Sequence, residues 1–375
     1  NIAKSKREKA LAFQNELASL KFLDPACGSG YFLTESYTSL RRLENEALRI
    51  IYGTDRVMGE MADPIKVSIN QFYGIEINDF ACSVAQTALW IAESQMMQET
   101  DEIVGFEINP LPLKTYTNIK EGNALRMDWS VWEEPDDTTK VYADEVYLHQ
   151  HLPSEKGSSF VAHEPEAKYG TIELHSPNIH QTDKIRKTLY VEFDYIMGNP
   201  PFVGASTMTD EQKKEAVAVF GKISLSNSID YVGAWYHLTC RMLYLNPKTH
   251  AALVSTNSIT QGEQVAALWQ PLFDKYNVHI DFAYKTFVWN NEAKNKAHVH
   301  VVIIGFSCGK SDKPRVIIDG NNRFLVSGIS PYLVKGENTT IASRSKPLCK
   351  VPIMTKGNQP SDGGNLILSE EERQS

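Results

Sequence analysis

The stretch DPACGSGYF at residues 24–32 decides the fold of this chain. It follows the hydrophobic pair Phe22-Leu23 and precedes a long amphipathic run, which predicts a strand end, a glycine-rich turn and a helix. Gly28 and Gly30 let the backbone turn sharply and approach a ligand without a Cβ collision. The helix that follows offers N–H groups that have no intrahelical partner. The stretch therefore predicts a ligand crevice at the carboxyl end of a parallel sheet, although the same glycines also suit a plain βα turn.

Strand and helix patterns alternate outward from this turn. Strands are predicted at 22–23, 71–76, 118–122, 191–197, 251–255, 278–284 and 298–306. Helices are predicted at 3–20, 32–52, 80–98, 229–245 and 262–276. This alternation predicts an α/β fold, with a mainly parallel seven-stranded sheet of Rossmann-like type and helices on both faces.

Two segments interrupt the alternation. Residues 133–190 are rich in Pro, Gly, Ser, His and acidic side chains and show little periodicity, so we interpret them as an insertion. From residue 315 the sequence VIIDGNNRFLV predicts a hairpin around Asp319-Gly320, followed by a tail rich in Pro, Gly and Lys. We therefore expect one domain at 1–310, carrying the insertion, and the start of a smaller region at 311–375.

The composition of the 375 residues limits the class of protein. With 42% hydrophobic and 22% charged residues, and no uninterrupted apolar run of about 18 residues, the chain is predicted to be neither membrane-spanning nor membrane-bound. Its five cysteines show no CxxC spacing, which favours reduced thiols in the cytoplasm and no metal site. The net charge of −8 argues mildly against a nucleic-acid partner, but residues 133–190 hold 11 acidic and 6 basic side chains and so carry much of it.

Polar residues end the second and third predicted strands. Glu76, followed by Ile77, can accept hydrogen bonds from both hydroxyls of a ribose, or it is a solvated loop acid. Asn123, followed by Ala124, can hydrogen-bond an adenine edge, although Gly-Asn is also common in turns. The glycine-rich turn at 24–32 is not followed by the Gly-Lys-Ser/Thr of a phosphate loop and lacks GxGxxG, which argues against a nucleoside triphosphate or dinucleotide ligand at this turn.

A second motif, Asn199-Pro200-Pro201-Phe202, leaves the fourth predicted strand. The Asn199 side-chain oxygen and the Pro200 carbonyl are acceptors for the N–H groups of an exocyclic amine, whose developing positive charge they would stabilise. The prolines fix the direction of that carbonyl, and Phe202 offers a ring on which a flipped base can stack. An extended turn without chemistry is the alternative.

Together the two motifs resemble those of the class I S-adenosylmethionine-dependent methyltransferases that form N6-methyladenine in DNA. The order of the motifs resembles the gamma arrangement of these enzymes. The resemblance implies S-adenosyl-L-methionine as cofactor, with Glu76 and Ile77 at its ribose and Asn123 and Ala124 at its adenine. It also implies that the methionine end lies against the first motif, that is, against Asp24, Pro25, Ala26, Cys27, Gly28 and Gly30. The catalytic residues would be Asn199, Pro200, Pro201 and Phe202.

Longer blocks, among them QFYGIEINDFACSVAQTALW and GNPPFVGASTM, resemble the methyltransferase region of MmeI-like type IIL restriction–modification enzymes. This resemblance implies double-stranded DNA as partner, a place in restriction or phage defence, and residues 311–375 as the start of a target-recognition region. It further implies that a nuclease and the full recognition domain lie on the same, longer polypeptide. Two alternatives stay open. Release-factor glutamine methyltransferases also use Asn-Pro-Pro, and a non-catalytic DNA-recognition module would explain why residues 1–23 hold no match to the upstream gamma motif.

Overall fold

A computed structural model of the chain describes residues 2–52, 64–105, 118–133, 188–221, 229–289, 299–309 and 313–342, together with residues 344 and 350. Strands in these ranges are β1 (Phe22–Asp24), β2 (Phe72–Glu76), β3 (Ile119–Glu121), β4 (Val131–Glu133), β5 (Thr188–Tyr190), β6 (Tyr195–Gly198), β7 (His250–Thr256), β8 (Val278–Trp289), β9 (Val299–Cys308), β10 (Arg315–Asp319) and β11 (Asn322–Val326). Helices are α1 (Ile2–Ser19), α2 (Tyr31–Tyr52), α3 (Asp79–Val104), α4 (Asp210–Phe220), α5 (Gly233–Leu245) and α6 (Gly262–Tyr276).

The central sheet has the strand order β3-β2-β1-β6-β7-β9-β8-β10-β11. Adjacent strands from β3 to β7 pair in parallel, whereas β9 runs antiparallel to both of its neighbours. The predicted seven-stranded, mainly parallel sheet is therefore confirmed. Two further strands extend it, because β10 pairs in parallel with β8 and forms a hairpin with β11. The hairpin predicted around Asp319-Gly320 is thus present.

Successive residues of the central strands point to opposite faces of the sheet and enter two separate cores. On one face Phe22 and Phe72 pack with apolar side chains of α1, α2 and α3. On the other face Leu23 and Tyr73 belong to a larger cluster that includes side chains of α4, α5 and α6. Helices consequently cover both faces, as expected for a parallel sheet whose strands are almost wholly apolar.

Several element boundaries differ from the sequence-based prediction. Strand β6 begins at Tyr195 instead of residue 191, because the segment before it lies beside the start of β4. There Val191 N donates a hydrogen bond to Ser130 O, directly before β4, at 2.8 Å. Helix α5 begins at Gly233 instead of residue 229, and helix α4 was not predicted at all. A capping box marks the start of α4, in which Thr209 and Gln212 exchange side-chain to backbone hydrogen bonds.

The predicted insertion at 133–190 is bounded by a two-stranded antiparallel sheet of β4 and β5, and its residues 134–187 lie outside the described ranges. By internal contacts the chain divides into one compact unit at residues 1–340 and a second at 341–375. The domain boundary expected near residue 310 stays a prediction. No helix in the described part of the chain is both long enough and apolar enough to span a membrane.

Candidate cofactor and catalytic site

A cavity of about 670 Å³ opens where β1, β2, β3 and β6 end, at the carboxyl edge of the sheet. Nine of the predicted site residues line it: Pro25, Ala26, Gly28, Glu76, Ile77, Asn123, Ala124, Asn199 and Pro201. The predicted residues Asp24, Cys27, Gly30, Pro200 and Phe202 are not among its lining residues. The fold therefore brings the two sequence motifs to one cavity, although they lie more than 160 residues apart in the chain.

The glycine-rich turn is built partly for packing and partly for access. Gly28 and Gly30 both have positive φ, of 52° and 82°. A Cβ on Gly28 would meet no atom of the described residues within 4 Å, whereas one on Gly30 would lie 2.9 Å from Cβ of Ala85 in α3. Gly30 consequently allows α2 and α3 to approach each other, and Gly28 leaves open space beside the cavity.

Asp24 connects the two motifs below the cavity. Its side chain is 1% exposed; Oδ1 accepts a hydrogen bond from Ala26 N at 3.0 Å, and Oδ2 has no hydrogen-bond partner within the described ranges. Asp24 also lies against the end of the neighbouring strand β6. A Cβ on Gly198, the residue directly before Asn199, would lie 2.5 Å from Asp24 Oδ1. Burial raises the pKa of Asp24 to about 7, and the negative charge of Glu76 adds to this, while the Ala26 N–H opposes it.

Cys27 contributes backbone rather than side chain to the turn. Its side chain is buried, and a Cβ on Gly74 would lie 2.7 Å from its sulfur, so the thiol points into the core against β2. Burial, reinforced by the charges of Asp24 and Glu76, raises the pKa of the Cys27 thiol far above its ordinary value. A neutral thiol packed in the core cannot act as a nucleophile.

The Glu76 carboxylate accepts hydrogen bonds from the turn after β1 and from the turn after β2, and it can still accept further hydrogen bonds from a ligand in the cavity. Its Oε2 accepts from Gly28 N at 2.9 Å and its Oε1 from Asn78 N at 3.0 Å, which leaves each oxygen one further lone pair. Its backbone carbonyl accepts from Gly122 N at 2.8 Å, so the turn after β3 is held as well. The half-buried carboxylate is thus fixed in direction before any ligand arrives.

The Asn123 side chain already makes two hydrogen bonds within the protein, which its sequence context did not indicate. Its Oδ1 accepts from Leu125 N at 2.9 Å and caps a short 3₁₀ turn, and its Nδ2 donates to Glu215 Oε1 at 2.7 Å. A single amide N–H remains for a ligand. Any hydrogen bond from Asn123 to an adenine edge is therefore limited to one donated bond.

The second motif presents an acceptor without a partner. Asn199 lines the cavity, and its Oδ1 is buried and makes no hydrogen bond to any residue that the structure describes. Leaving such an acceptor unsatisfied costs about 1–3 kcal/mol, so the fold maintains it against its own stability. Pro201 is exposed at the cavity, Pro200 is buried and Phe202 is half-buried outside the lining.

Several lining residues that the sequence analysis missed come from α4 and from the segment 231–235, which leads into α5. Glu215, Tyr231 and Trp235 line the cavity, and the Trp235 indole N–H donates to Pro25 O at 3.2 Å. The capping pattern Thr-Asp-Glu-Gln at 209–212 is the sequence signal that would have identified α4.

The sheet order and this site define a class I methyltransferase fold. The chain belongs to the MmeI family, because the sequence profile of the MmeI DNA-methyltransferase domain matches residues 1–319. The profile of the MmeI target recognition domain matches residues 335–375.

Known proteins with related sequences or structures agree with this assignment. The chain is 37% identical over 354 residues to DNA methyltransferase A of Bacillus subtilis (strain 168), covering 94% of the chain and 34% of the relative. It is similar in structure to the type IIL restriction-modification enzyme MmeI, solved in complex with DNA, with a TM-score of 0.75 and 33% identity over 99% of the chain and 43% of MmeI. A shorter match, 35% over 81 residues, is to a putative type II restriction enzyme and methyltransferase of Methanocaldococcus jannaschii, covering 22% of the chain and 7% of the relative. The chain thus spans about a third of its curated Bacillus relative.

Proposed function

We propose that this chain binds S-adenosyl-L-methionine and methylates the exocyclic N6 of an adenine flipped out of double-stranded DNA. We further propose that it does so as the methyltransferase part of a longer restriction–modification polypeptide. Membership of the MmeI methyltransferase family and the match of residues 335–375 to a target recognition domain support a DNA substrate. The choice of an exocyclic amine rests on the chemistry of the second motif.

The observation that carries the proposal is the unpartnered Asn199 Oδ1, buried in the wall of the cavity that the glycine-rich turn also lines. An exocyclic amine offers two N–H donors, and its lone pair is delocalised into the ring, so it is a poor nucleophile. An acceptor held on one N–H stabilises the positive charge that the nitrogen gains in the transition state. Asn199 needs no reorganisation for this role, because no group in the described part of the chain competes for its oxygen.

The neighbouring residues support the same reaction. The Pro200 carbonyl would accept the second N–H, and the two prolines hold the turn rigid. Phe202 would stack on the flipped base, which is worth about 1–3 kcal/mol for base–aromatic contacts. Catalysis on this view is positioning and charge stabilisation, so no nucleophilic side chain is needed, in keeping with the buried, neutral Cys27.

The cavity fits the proposed cofactor in size and in its polar groups. A volume of about 670 Å³ lies within the range of about 300–1,000 Å³ that is usual for small-molecule sites. Glu76 would accept hydrogen bonds from ribose hydroxyls with its free lone pairs, Ile77 offers an exposed apolar surface beside it, and Ala124 also lines the cavity. When bound, S-adenosyl-L-methionine supplies an electrophilic methyl group on a positively charged sulfur. Asp24 lies buried below the turn at 25–28 and would lose its proton more readily beside that positive charge.

The product of methyl transfer tests this proposal directly. The full-length protein is incubated with methyl-labelled S-adenosyl-L-methionine and unmethylated genomic DNA, and the DNA is digested to nucleosides for mass spectrometry. We expect label in N6-methyldeoxyadenosine. Label in N4-methyldeoxycytidine would contradict the choice of base, and label in an added release factor but not in DNA would contradict the choice of substrate.

A further inference from the structure

Glu215 in α4 receives hydrogen bonds from three parts of the chain at one edge of the cavity. Asn123 Nδ2 and Arg126 Nη2 reach its Oε1 at 2.7 Å and 2.6 Å, and the Tyr231 hydroxyl donates to its Oε2. Glu215 is 7% exposed and Tyr231 5% exposed, whereas the Arg126 side chain is about half exposed. Three donors therefore converge on one buried carboxylate in the cavity wall.

The donors connect the two halves of the site. Asn123 belongs to the turn after β3, where we place the adenine of the cofactor. Tyr231 lies before α5, and its backbone N–H donates to Val203 O at 2.9 Å, immediately after Phe202. The chain of contacts from Asn123 through Glu215 and Tyr231 to Val203 thus runs from the cofactor end of the cavity to the catalytic turn.

A second path starts from the same tyrosine. The Tyr231 ring packs edge-on against Trp235 with centroids 5.2 Å apart, and Trp235 donates to Pro25 O in the glycine-rich turn. Asp230 next to Tyr231 accepts from Ala205 N at 2.9 Å and so holds the residues after the catalytic motif from the other side. Displacement of Tyr231 would consequently disturb both ligand turns together.

The chemistry at this point specifies a carboxylate. An ionised carboxylate only accepts hydrogen bonds, which suits three donors, whereas the NH₂ group of a glutamine would face at least one of these donors in either orientation of the amide. We infer that Glu215, acting through Tyr231, is a positioning residue that makes cofactor binding and seating of the target base in the Asn199–Phe202 turn mutually favourable. The inference rests on the proposed function, since it concerns the same cavity.

Reciprocal binding measurements test this coupling. DNA affinity of the full-length protein is measured with and without saturating sinefungin, a non-reactive analogue of the cofactor. Coupling between two sites usually changes affinity by about 5- to 150-fold. We expect sinefungin to tighten DNA binding of the wild type at least about 5-fold, and the gain to fall below about 2-fold in Tyr231→Phe and Glu215→Gln. At saturating cofactor and DNA, kcat should also fall about 10-fold, since the loss lies in positioning and not only in affinity.

Two variants control for the chemical change itself. Glu46→Gln removes a carboxylate that pairs with Arg49 on the exposed side of α2, and Tyr244→Phe removes a hydroxyl in α5, the helix that follows Tyr231. Both should keep the wild-type coupling. Tyr231→Phe keeps the ring packing, so it reports on the hydroxyl even if Glu215→Gln fails to fold.

Different results would overturn different proposals. If sinefungin does not tighten DNA binding of the wild type, or tightens that of Tyr231→Phe as much as that of the wild type, the coupling inference is wrong while the methyltransferase proposal stands. If the wild type transfers no methyl group to DNA, the proposed function is wrong and this inference fails with it.

Discussion

The variant Asn199→Ala tests whether Asn199 has a catalytic or a structural role. Asn199 Oδ1 is buried and has no partner among the described residues, so its removal deletes none of the hydrogen bonds described for the folded state. An unsatisfied buried acceptor costs about 1–3 kcal/mol, and loss of the half-buried side chain offsets part of the relief. We therefore expect the free energy of unfolding to stay unchanged or to rise by up to about 1 kcal/mol.

Methyl transfer should respond in the opposite direction. If the oxygen stabilises charge that develops on the amine, its loss should lower kcat by about 10²–10³-fold, which corresponds to about 2.7–4 kcal/mol for one preorganised polar group. Affinity for the cofactor should stay within about 2-fold, because the acceptor serves the base. Denaturant unfolding, labelled methyl transfer and titration calorimetry measure the three quantities.

The comparison variant is Asn70→Ala, which truncates an exposed asparagine in the short 3₁₀ turn (Ile69–Gln71) directly before β2. It should leave kcat unchanged. Our reasoning would be refuted if Asn199→Ala lowered the unfolding free energy by more than about 2 kcal/mol, because the oxygen would then have a structural partner. Retention of kcat within 10-fold of the wild type would refute the catalytic role.

Three further predictions follow from the cavity and its turns. The Asp24 carboxyl has an ordinary pKa of 3.8 and a pKa of about 7 in the fold, so its contribution to stability is complete below pH 4 and is lost as the pH rises to about 7. At about 1.4 kcal/mol per pH unit this loss is at most about 4 kcal/mol, and denaturant unfolding from pH 4 to 8 without cofactor should show it in the wild type but not in Asp24→Asn. Glu76→Gln should weaken cofactor binding by about 10-fold in calorimetry, because a neutral acceptor replaces a charged one; unchanged affinity would contradict a ribose role. Gly30→Ala should lower the unfolding free energy by more than Gly221→Ala, since both glycines have positive φ but only the first would also place its Cβ 2.9 Å from Ala85; equal losses would contradict the packing argument.

The sequence predicted the elements whose pattern is local. Helix α6 has the predicted bounds, 262–276, because its apolar face recurs at helical spacing and Asn277 ends it in the left-handed conformation. Strand β2 and the hairpin of β10 and β11 are likewise found where short-range patterns placed them. The start of β6 was predicted four residues early, since Val191 and Phe193 are as apolar as strand residues but pack in the core before the strand begins.

Membership of the fold class and the two motifs were determined by the sequence alone, because glycine turns, proline pairs and strand periodicity are properties of neighbouring residues. The tertiary structure alone decided that Asp24 touches Gly198, that Asn123 is engaged by Glu215, and that Asn199 keeps a free acceptor. These contacts join segments 92 to 174 residues apart in the chain or depend on the absence of a partner. Neither can be read from local pattern, since hydrogen-bond satisfaction is settled only when the whole chain has packed.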